Sequence, residues 1–339
     1  DRVVAERITG PLGMRDTGYN PPADELHRIA ATEFQVDPPR GMVRGQVHDE
    51  NAWSLGGVAG QAGVFSTADD LATLGQALLN GGTYAGNRIL SEDSVRRMLT
   101  DYNDAFPGHA HGLGFELDQR WYMAGLSAPH TAGHTGFTGT SLVIDPLSRS
   151  VAVLLTNRVH PSREWGSNNR ARQALAQGLA QALAVRPEFG SQSWYTDRAG
   201  TLTTDPLGPV AGPVQVSFSA FVDTQRDSDG TDPLLLESSV DGGDWRPVPV
   251  SAEGPGAPED DQQELAGAGH RSWWEVSGSV DAEPGQRVQL RWRYAPDEQY
   301  AGRGVNVDGI LAADRDATLL DGELQADRLH AEGWTQTDR

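Results

Sequence analysis

The residues best suited to chemistry stand in one short stretch, from Gly133 to Ser141. It opens with His134, Thr135 and Gly136 and runs into a strand-like apolar segment, Leu142–Ile144. An imidazole titrates near neutral pH and can take up or release a proton, while a hydroxyl can donate or accept a hydrogen bond. This order of groups favours a functional site. The alternative interpretation is an ordinary strand start.

Lysine and cysteine, which often take part in nucleophilic catalysis, are both absent from this sequence. All 27 basic residues are arginine, so a Ser-x-x-Lys motif cannot occur in these 339 residues. The lack of cysteine excludes disulfides, thiol catalysis and Cys-ligated zinc. Ser54 lies in a segment that faintly resembles a nucleophile elbow, but the first glycine is missing and no strand precedes it. The sequence therefore offers no nucleophile of these kinds.

One acidic segment has the spacing of a calcium loop. Asp227, Asp229 and Asp232 place carboxylates at alternating or nearby positions, but the glutamate that completes an EF-hand is missing. We expect at most a structural Ca²⁺ here and no other cofactor, with a solvated turn as the alternative. The pair in His109-Ala110-His111 has no acidic partner motif and is weak evidence for a metal.

The charge distribution limits the classes of partner that the chain can bind. Residues 1–190 hold 20 acids and 16 arginines, whereas residues 191–339 hold 27 acids and 11 arginines, which gives a net charge of −20 overall. Such an acidic chain repels phosphate backbones and anionic lipids, so we expect neither nucleic acid nor membrane partners. No apolar run approaches the length of a membrane span, and 37% hydrophobic residues fit a folded chain.

Residues 1–186 alternate helical and strand-like segments. The segment Asp69–Leu79 has leucines on one helical face after a Ser-Thr cap, and Asn168–Leu183 has leucines at every fourth position. Two antiparallel strands are expected, from His134 to Ile144 and from Val151 to Asn157. We therefore predict an α+β domain, in which an antiparallel sheet packs against helices.

Helical periodicity ends near residue 186. We predict a linker over 187–213 because this stretch is interrupted by Pro and Gly, and then an all-β jelly-roll sandwich over 214–339. In the second half, Val288–Tyr294 alternates apolar and polar residues. The aromatic residues Trp273, Trp274, Trp292 and Tyr294 could form a sugar-stacking platform, but alternation places at least Trp292 in the core.

Several blocks of the first half together resemble one known family. They are 10–17, 29–33, 47–52, 55–68 and 133–158, the last containing the His-Thr-Gly triplet. In this order they are similar to the C-terminal part of class C β-lactamase-like serine hydrolases, most closely the penicillin-binding protein 4B-like branch. The second half resembles, less specifically, the jelly-roll modules of secreted bacterial peptidases.

The resemblance implies acyl transfer through a serine acyl-enzyme, and it assigns roles on one strand. His134 would replace the family's lysine, Thr135 would offer its hydroxyl to a substrate carboxylate, and Gly136 would let substrate approach the strand edge. The backbone N–H of Phe137 would donate to the oxyanion. Because imidazole replaces ammonium, anchoring of an anionic substrate would depend on pH.

The family's Ser-x-x-Lys and Tyr-x-Asn elements are expected before Asp1, so we expect this chain alone to be inactive. The resemblance implies that the substrate is a small ester or amide, or a peptidoglycan peptide. It also implies that the sandwich binds a carbohydrate or cell-wall ligand and that the protein is secreted or extracytoplasmic. The alternative is a non-catalytic secreted protein that binds cell wall or carbohydrate.

Overall fold

Capping side chains decide where the helices of the first half begin. Thr67 accepts a hydrogen bond from the N–H of Asp70, and Ser91 accepts one from Ser94. Asp49 does the same for Ala52. These polar caps satisfy backbone donors that a helix start leaves unpaired. The helix predicted at Asp69–Leu79 is therefore confirmed.

This computed structural model describes residues 1–106, 108–225, 230–297 and 302–338, without the side chains of 268–270. The chain divides into two units, Asp1–Leu179 and Ala180–Arg339. The helices are α1 (Arg2–Val4), α2 (Gly10–Leu12), α3 (Glu50–Ser54), α4 (Ala68–Leu79), α5 (Glu92–Met98), α6 (Arg120–Met123) and α7 (Asn169–Ala182). In the part of the chain described, no helix has both the length and the apolar character that crossing a membrane requires.

The strands of the first unit are mostly short. They are β1 (Gly18–Tyr19), β2 (Phe34–Gln35), β3 (Gly41–Met42), β4 (Val64–Phe65), β5 (Thr83–Tyr84), β6 (Asn87–Arg88), β7 (Glu116–Leu117), β8 (Ala132–Thr135), β9 (Ser141–Asp145) and β10 (Ser150–Leu154). The last four form an antiparallel sheet in the order β10-β9-β8-β7. Helix α4 packs closely on β10, because a Cβ at Gly75 would lie 2.7 Å from Val151.

One strand prediction was wrong. The segment His134–Ile144 is a hairpin of β8 and β9, because residues 136–140 form a tight turn between them. In this turn the N–H of Gly136 donates to Thr140, and that of Gly139 donates back to Gly136. Gly139 has a φ of 112°, a conformation that side chains disfavour. Phe137 therefore lies in the turn and not on the strand.

The face that α7 buries also differs from the leucine pattern. Arg172 and Ala176 are buried, whereas Leu175 is 37% exposed. These two buried positions are four residues apart, so they share one side of the helix. Periodicity of the largest apolar residues pointed to the wrong side.

The second unit contains two antiparallel sheets. Its strands are β11 (Ser193–Thr196), β12 (Gly200–Thr204), β13 (Val214–Asp223), β14 (Leu234–Val240), β15 (Arg246–Pro247), β16 (Val250–Glu253), β17 (Ala268–Val280), β18 (Val288–Tyr294), β19 (Gly304–Ala313), β20 (Thr318–Asp321), β21 (Leu329–Glu332) and β22 (Thr335–Thr337). One sheet follows the order β16-β17-β13-β19-β11-β22 with β20 beside β19, and the other follows β15-β14-β18-β12-β21.

A single apolar core joins the two sheets. The ring of Phe218 on β13 meets that of Trp292 on β18 edge to face, with centroids 5.5 Å apart. Trp274, Trp292 and Tyr294 are each at most 2% exposed, so these three belong to the core and not to a sugar-binding platform. Alternating apolar residues on facing strands therefore build a β-sandwich.

The stretch predicted as a linker, 187–213, contains two strands of this sandwich. Strand β11 pairs with β19, and β12 pairs with β18. Leu202 of β12 is fully buried, so the stretch contributes to the core. Apart from Gly200, its Pro and Gly residues lie outside these two short strands. The Pro and Gly content therefore suggested a linker and did not reveal the strand pairing.

Truncating one core leucine should destabilise the second unit. Leu290 is fully buried, and we expect Leu290→Ala to lower the free energy of unfolding by about 2–5 kcal/mol because it removes apolar contacts and leaves a cavity. Leu324→Ala is the matched control, since Leu324 is 82% exposed. Urea unfolding of both variants measures the difference, and equal stabilities would contradict this description of the core.

Candidate active site

The candidate site is the outer edge of β8 where β7 no longer covers it. Strand β7 pairs only with Ala132 and Gly133. His134 is exposed, Thr135 and Gly136 are partly exposed, and Phe137 is 59% exposed. An unpaired strand edge presents backbone donors and acceptors to an incoming chain. The four residues predicted from the sequence therefore lie close together, at the exposed end of β8 and in the turn that follows it.

The hydrogen bond of His134 fixes which ring nitrogen is available. Its Nδ1–H donates to the carbonyl of Thr135 at 2.8 Å. A neutral imidazole that carries its proton on Nδ1 has its lone pair on Nε2. That nitrogen can accept a proton from a bound group, which an ammonium in the same place could not do.

Two further donors at this edge have no partner within residues 1–106, 108–225, 230–297 and 302–338. They are the hydroxyl of Thr135 and the backbone N–H of Phe137. Gly136 between them is needed for packing as well, because a Cβ there would lie 2.2 Å from the hydroxyl oxygen of Thr140. The edge thus offers one hydroxyl and one amide to a ligand.

Two arginines that the sequence pattern did not indicate lie close to the turn at 136–140. The guanidinium of Arg172 donates to the carbonyl of Gly136 at 2.8 Å, and that of Arg158 lies 5.7 Å from the centre of the Phe137 ring. Burial, and then the charge of Arg158, lowers the pKa of Arg172. Among the described residues neither arginine forms a salt bridge with a carboxylate, so the site carries uncompensated positive charge.

A buried ion-pair network lies behind the ring of Phe137. Glu33 accepts hydrogen bonds from Nε of Arg163 at 2.8 and 2.9 Å and from Nε2 of His48 at 2.8 Å. The bond from Arg163 is the main reason why the pKa of Glu33 falls from 4.5 to about 2. Arg163 also pairs with Glu50.

This network also touches the turn. The ring of His48 stacks on that of Phe137 with centroids 5.5 Å apart, and the guanidinium of Arg163 lies 5.3 Å from the Phe137 ring. His48 therefore contacts both the buried carboxylate of Glu33 and the ring at the turn.

A local signal for Arg172 was present in the sequence. Asn169, Arg172 and Ala176 follow a spacing that puts them on one helical face, although that face carries few large apolar residues. Arg158 and Arg163 stand just after β10. Only the folded hairpin shows that these side chains reach the turn at 136–140.

Only one of the three carboxylates predicted to hold calcium lies in the described chain. Asp227 and Asp229 lie outside the described residues, while Asp232 is buried and accepts a hydrogen bond from the N–H of Asp297 at 2.7 Å. The described parts of the chain contain no group of three or more His, Cys, Asp or Glu residues able to hold a metal. Calcium at this turn stays a prediction.

The comparison with known families identifies the first unit. The family model described as Beta-lactamase matches residues 1–177. This chain therefore belongs to the beta-lactamase family of serine hydrolases.

Individual relatives agree with this assignment. A protein of Escherichia coli O157:H7 named D-alanyl-D-alanine carboxypeptidase is 38% identical over 177 residues, which cover 47% of this chain and 40% of that protein. A protein of the same name from Salmonella enteritidis PT4 is 40% identical over 178 residues, with the same coverage. The chain thus spans about two fifths of the length of these relatives.

Two solved structures are similar to about half of this chain. A penicillin-binding protein homologue from Caulobacter crescentus has a TM-score of 0.36 and 22% identity, covering 53% of this chain and 52% of that one. A family VIII carboxylesterase has a TM-score of 0.38 and 21% identity, covering 54% and 51%. Because both TM-scores are below 0.5, the family assignment rests on the sequence match.

The ion pair of Glu33 should make the first unit sensitive to acid. Because the pKa of Glu33 in the folded chain, about 2, is below its ordinary value of 4.5, the stabilisation is complete above pH 4.5 and is lost as the pH falls towards 2. We expect Glu33→Gln to cost on the order of 3 kcal/mol at pH 7 and much less at pH 2.5. Urea unfolding at both pH values measures this.

Glu164→Gln provides the matched control, since Glu164 is exposed and next to Arg163. It should change stability little at either pH. A Glu33→Gln penalty that is the same at both pH values would show that the ion pair does not stabilise the fold.

Proposed function

We propose that this chain provides one wall of the site of a serine hydrolase that works through an acyl-enzyme, cleaving an ester or an amide. The observation that carries the proposal is the exposed edge of β8, where the Thr135 hydroxyl and the Phe137 N–H are both available to a ligand. The family assignment supports the reaction class.

Each group at the edge has a role in this proposal. The N–H of Phe137 donates to the oxyanion that forms when a carbonyl is attacked, a contact whose loss typically slows such reactions by ~10²–10³-fold. Nε2 of His134 accepts a proton during acyl transfer. Thr135 donates its hydroxyl to a substrate carboxylate, and Arg158 and Arg172 supply positive charge close to it.

The substrate we propose is a cell-wall peptide that ends in a D-alanine carboxylate. Two arginines without a carboxylate partner in the described chain favour an anionic ligand, because uncompensated buried charge is costly. A simple neutral ester would leave them unpaired. The names of the relatives from Escherichia coli and Salmonella support the same substrate class.

The second unit is proposed to be an accessory β-sandwich of the jelly-roll kind that binds cell wall or carbohydrate. The two antiparallel sheets of this unit, packed around one core, support the sandwich architecture. The protein is proposed to act outside the cytoplasm. A non-catalytic binding protein is the second candidate function, and loss of the Ser-x-x-Lys and Tyr-x-Asn elements from the residues before Asp1 would favour it.

Without lysine these 339 residues should not turn over substrate. The family's nucleophile depends on a Ser-x-x-Lys motif, which this sequence cannot contain. We expect no hydrolysis of nitrocefin or of p-nitrophenyl butyrate above the rate in buffer. Steady turnover of either compound, lost after Ser54→Ala, would disprove this and would identify a nucleophile of another kind.

A binding measurement without turnover tests whether residues 134–137 contact the ligand. A ¹H–¹⁵N NMR titration with Nα,Nε-diacetyl-L-Lys-D-Ala-D-Ala should shift the amides of residues 134–137. Thr135→Val keeps the shape but loses the hydroxyl, and it should weaken binding about tenfold, as expected for a hydrogen bond to a charged group. Thr73→Val, at a partly exposed position of helix α4, should leave the affinity unchanged. Equal affinities for both variants would contradict the role of Thr135.

A further inference from the structure

The peptide group between Gly136 and Phe137 is bonded to helix α7 on one side. Its N–H is the one that Phe137 offers after the end of β8, and its carbonyl oxygen accepts a hydrogen bond from Nη2 of Arg172 at 2.8 Å. In a trans peptide the N–H and the C=O point in opposite directions. A donor that binds the carbonyl therefore also determines where the N–H points.

Two donors share the carbonyl of Gly136. Besides the guanidinium of Arg172, the N–H of Gly139 donates to it at 2.9 Å. A carbonyl oxygen has two lone pairs, and both are used here. Rotation of this peptide would break both hydrogen bonds at once, so the N–H of Phe137 is held in one direction.

Arg172 is itself held in place. Its Nη1 donates to the side-chain oxygen of Asn169 at the start of α7, at 2.7 Å, and the residue is only 8% exposed. A side chain that is locked by packing and hydrogen bonds can position another group accurately. Its Nη2 is thereby directed at one atom, the carbonyl oxygen of Gly136.

The burial of this guanidinium has a cost that one hydrogen bond to a turn does not require. Nε of Arg172 is buried without a hydrogen-bond partner among the described residues, and no described carboxylate pairs with the side chain. Burying a charge in that condition is unfavourable. A neutral donor could make the same bond at less cost, so the positive charge indicates that the peptide is polarised as well as held.

Other contacts also hold the turn. The backbone N–H of Arg158 donates to the carbonyl of Thr138 at 2.9 Å, and Nδ2 of Asn168 donates to that of Gly139 at 2.7 Å. Neither bond involves the peptide that carries the N–H of Phe137. Within the described chain, the side chain bonded to that peptide is Arg172.

We propose that Arg172 is a positioning residue for the oxyanion donor: its guanidinium orients and polarises the Gly136–Phe137 peptide, which makes the N–H of Phe137 a stronger donor to a ligand oxygen. Linked hydrogen bonds strengthen one another, and a bond from a charged donor is stronger than one from a neutral donor. The inference rests on the proposed function, in which this N–H donates to the oxyanion.

The test follows the amide ¹⁵N resonance of Phe137, because this nucleus responds to a hydrogen bond at the preceding carbonyl. Arg172→Met removes the guanidinium and keeps an unbranched side chain. We expect it to displace the Phe137 resonance in the ligand-free chain and to weaken binding of Nα,Nε-diacetyl-L-Lys-D-Ala-D-Ala about threefold to tenfold, the usual loss for one hydrogen bond. Arg172→Ala, which suits a helix, is the second variant if Arg172→Met does not fold.

Thr156→Val is the matched control. The hydroxyl of Thr156 donates to the carbonyl of Gly139 at 2.8 Å, so this variant also loses a bond to the turn, but at the peptide that carries the N–H of Thr140. It should displace the ¹⁵N resonance of Thr140 and leave that of Phe137, and the affinity for the peptide, unchanged.

Arg172→Lys separates charge from position, since it keeps a positive charge. We expect the Phe137 resonance and the affinity to change together in this variant. Full affinity with the resonance still displaced, or an unmoved Phe137 resonance in Arg172→Met, would overturn the inference, while ligand-induced shifts at residues 134–137 of the unaltered chain would keep the proposed function. No shift at these residues of the unaltered chain, even at millimolar peptide, would overturn both.

Discussion

The candidate site exists because β7 stops before it can cover the whole edge of β8. A tight turn before Glu116 determines this: the N–H of Gly112 donates to the carbonyl of Phe115 at 2.8 Å, and His111 pairs with Glu116. The chain folds back on itself there, so no residue of this turn pairs with His134. Unpaired edges invite intermolecular pairing, and proteins usually protect them. On β8, Gly133 is still paired with β7, whereas the next residue, His134, is exposed.

The exposed turn after β8 has little core of its own, so ionic groups hold it. Arg172 bonds to the backbone at Gly136, and His48 and Arg163 contact the ring of Phe137 from a network centred on buried Glu33. Such contacts fix a backbone N–H more firmly than a free loop would. A site that must stabilise developing charge benefits from donors that are already in place.

The sequence was informative where one residue type dictates a local structure. Thr67 and Ser91 cap the predicted helices. The His-Thr-Gly triplet, predicted at the start of a strand, instead lies at the exposed end of β8. The sequence was less informative where long-range packing decides. Leucine spacing on α7 did not show that Arg172 is on the buried face, and the strands within 187–213 depend on partners about a hundred residues away. Periodicity within a segment contains no information about those partners.

In the proposed function, the role that the family resemblance gives to a lysine at position 134 is divided among several residues. A lysine ammonium supplies a positive charge and donors at the same atom, whereas His134 with its proton on Nδ1 supplies a lone pair at Nε2. Positive charge close to the turn is carried by Arg158 and Arg172, and a guanidinium keeps its charge at any physiological pH. In the proposed function, attraction of an anionic ligand rests on these two guanidinium groups, whereas His134 accepts a proton at Nε2 and becomes an imidazolium that adds to the positive charge.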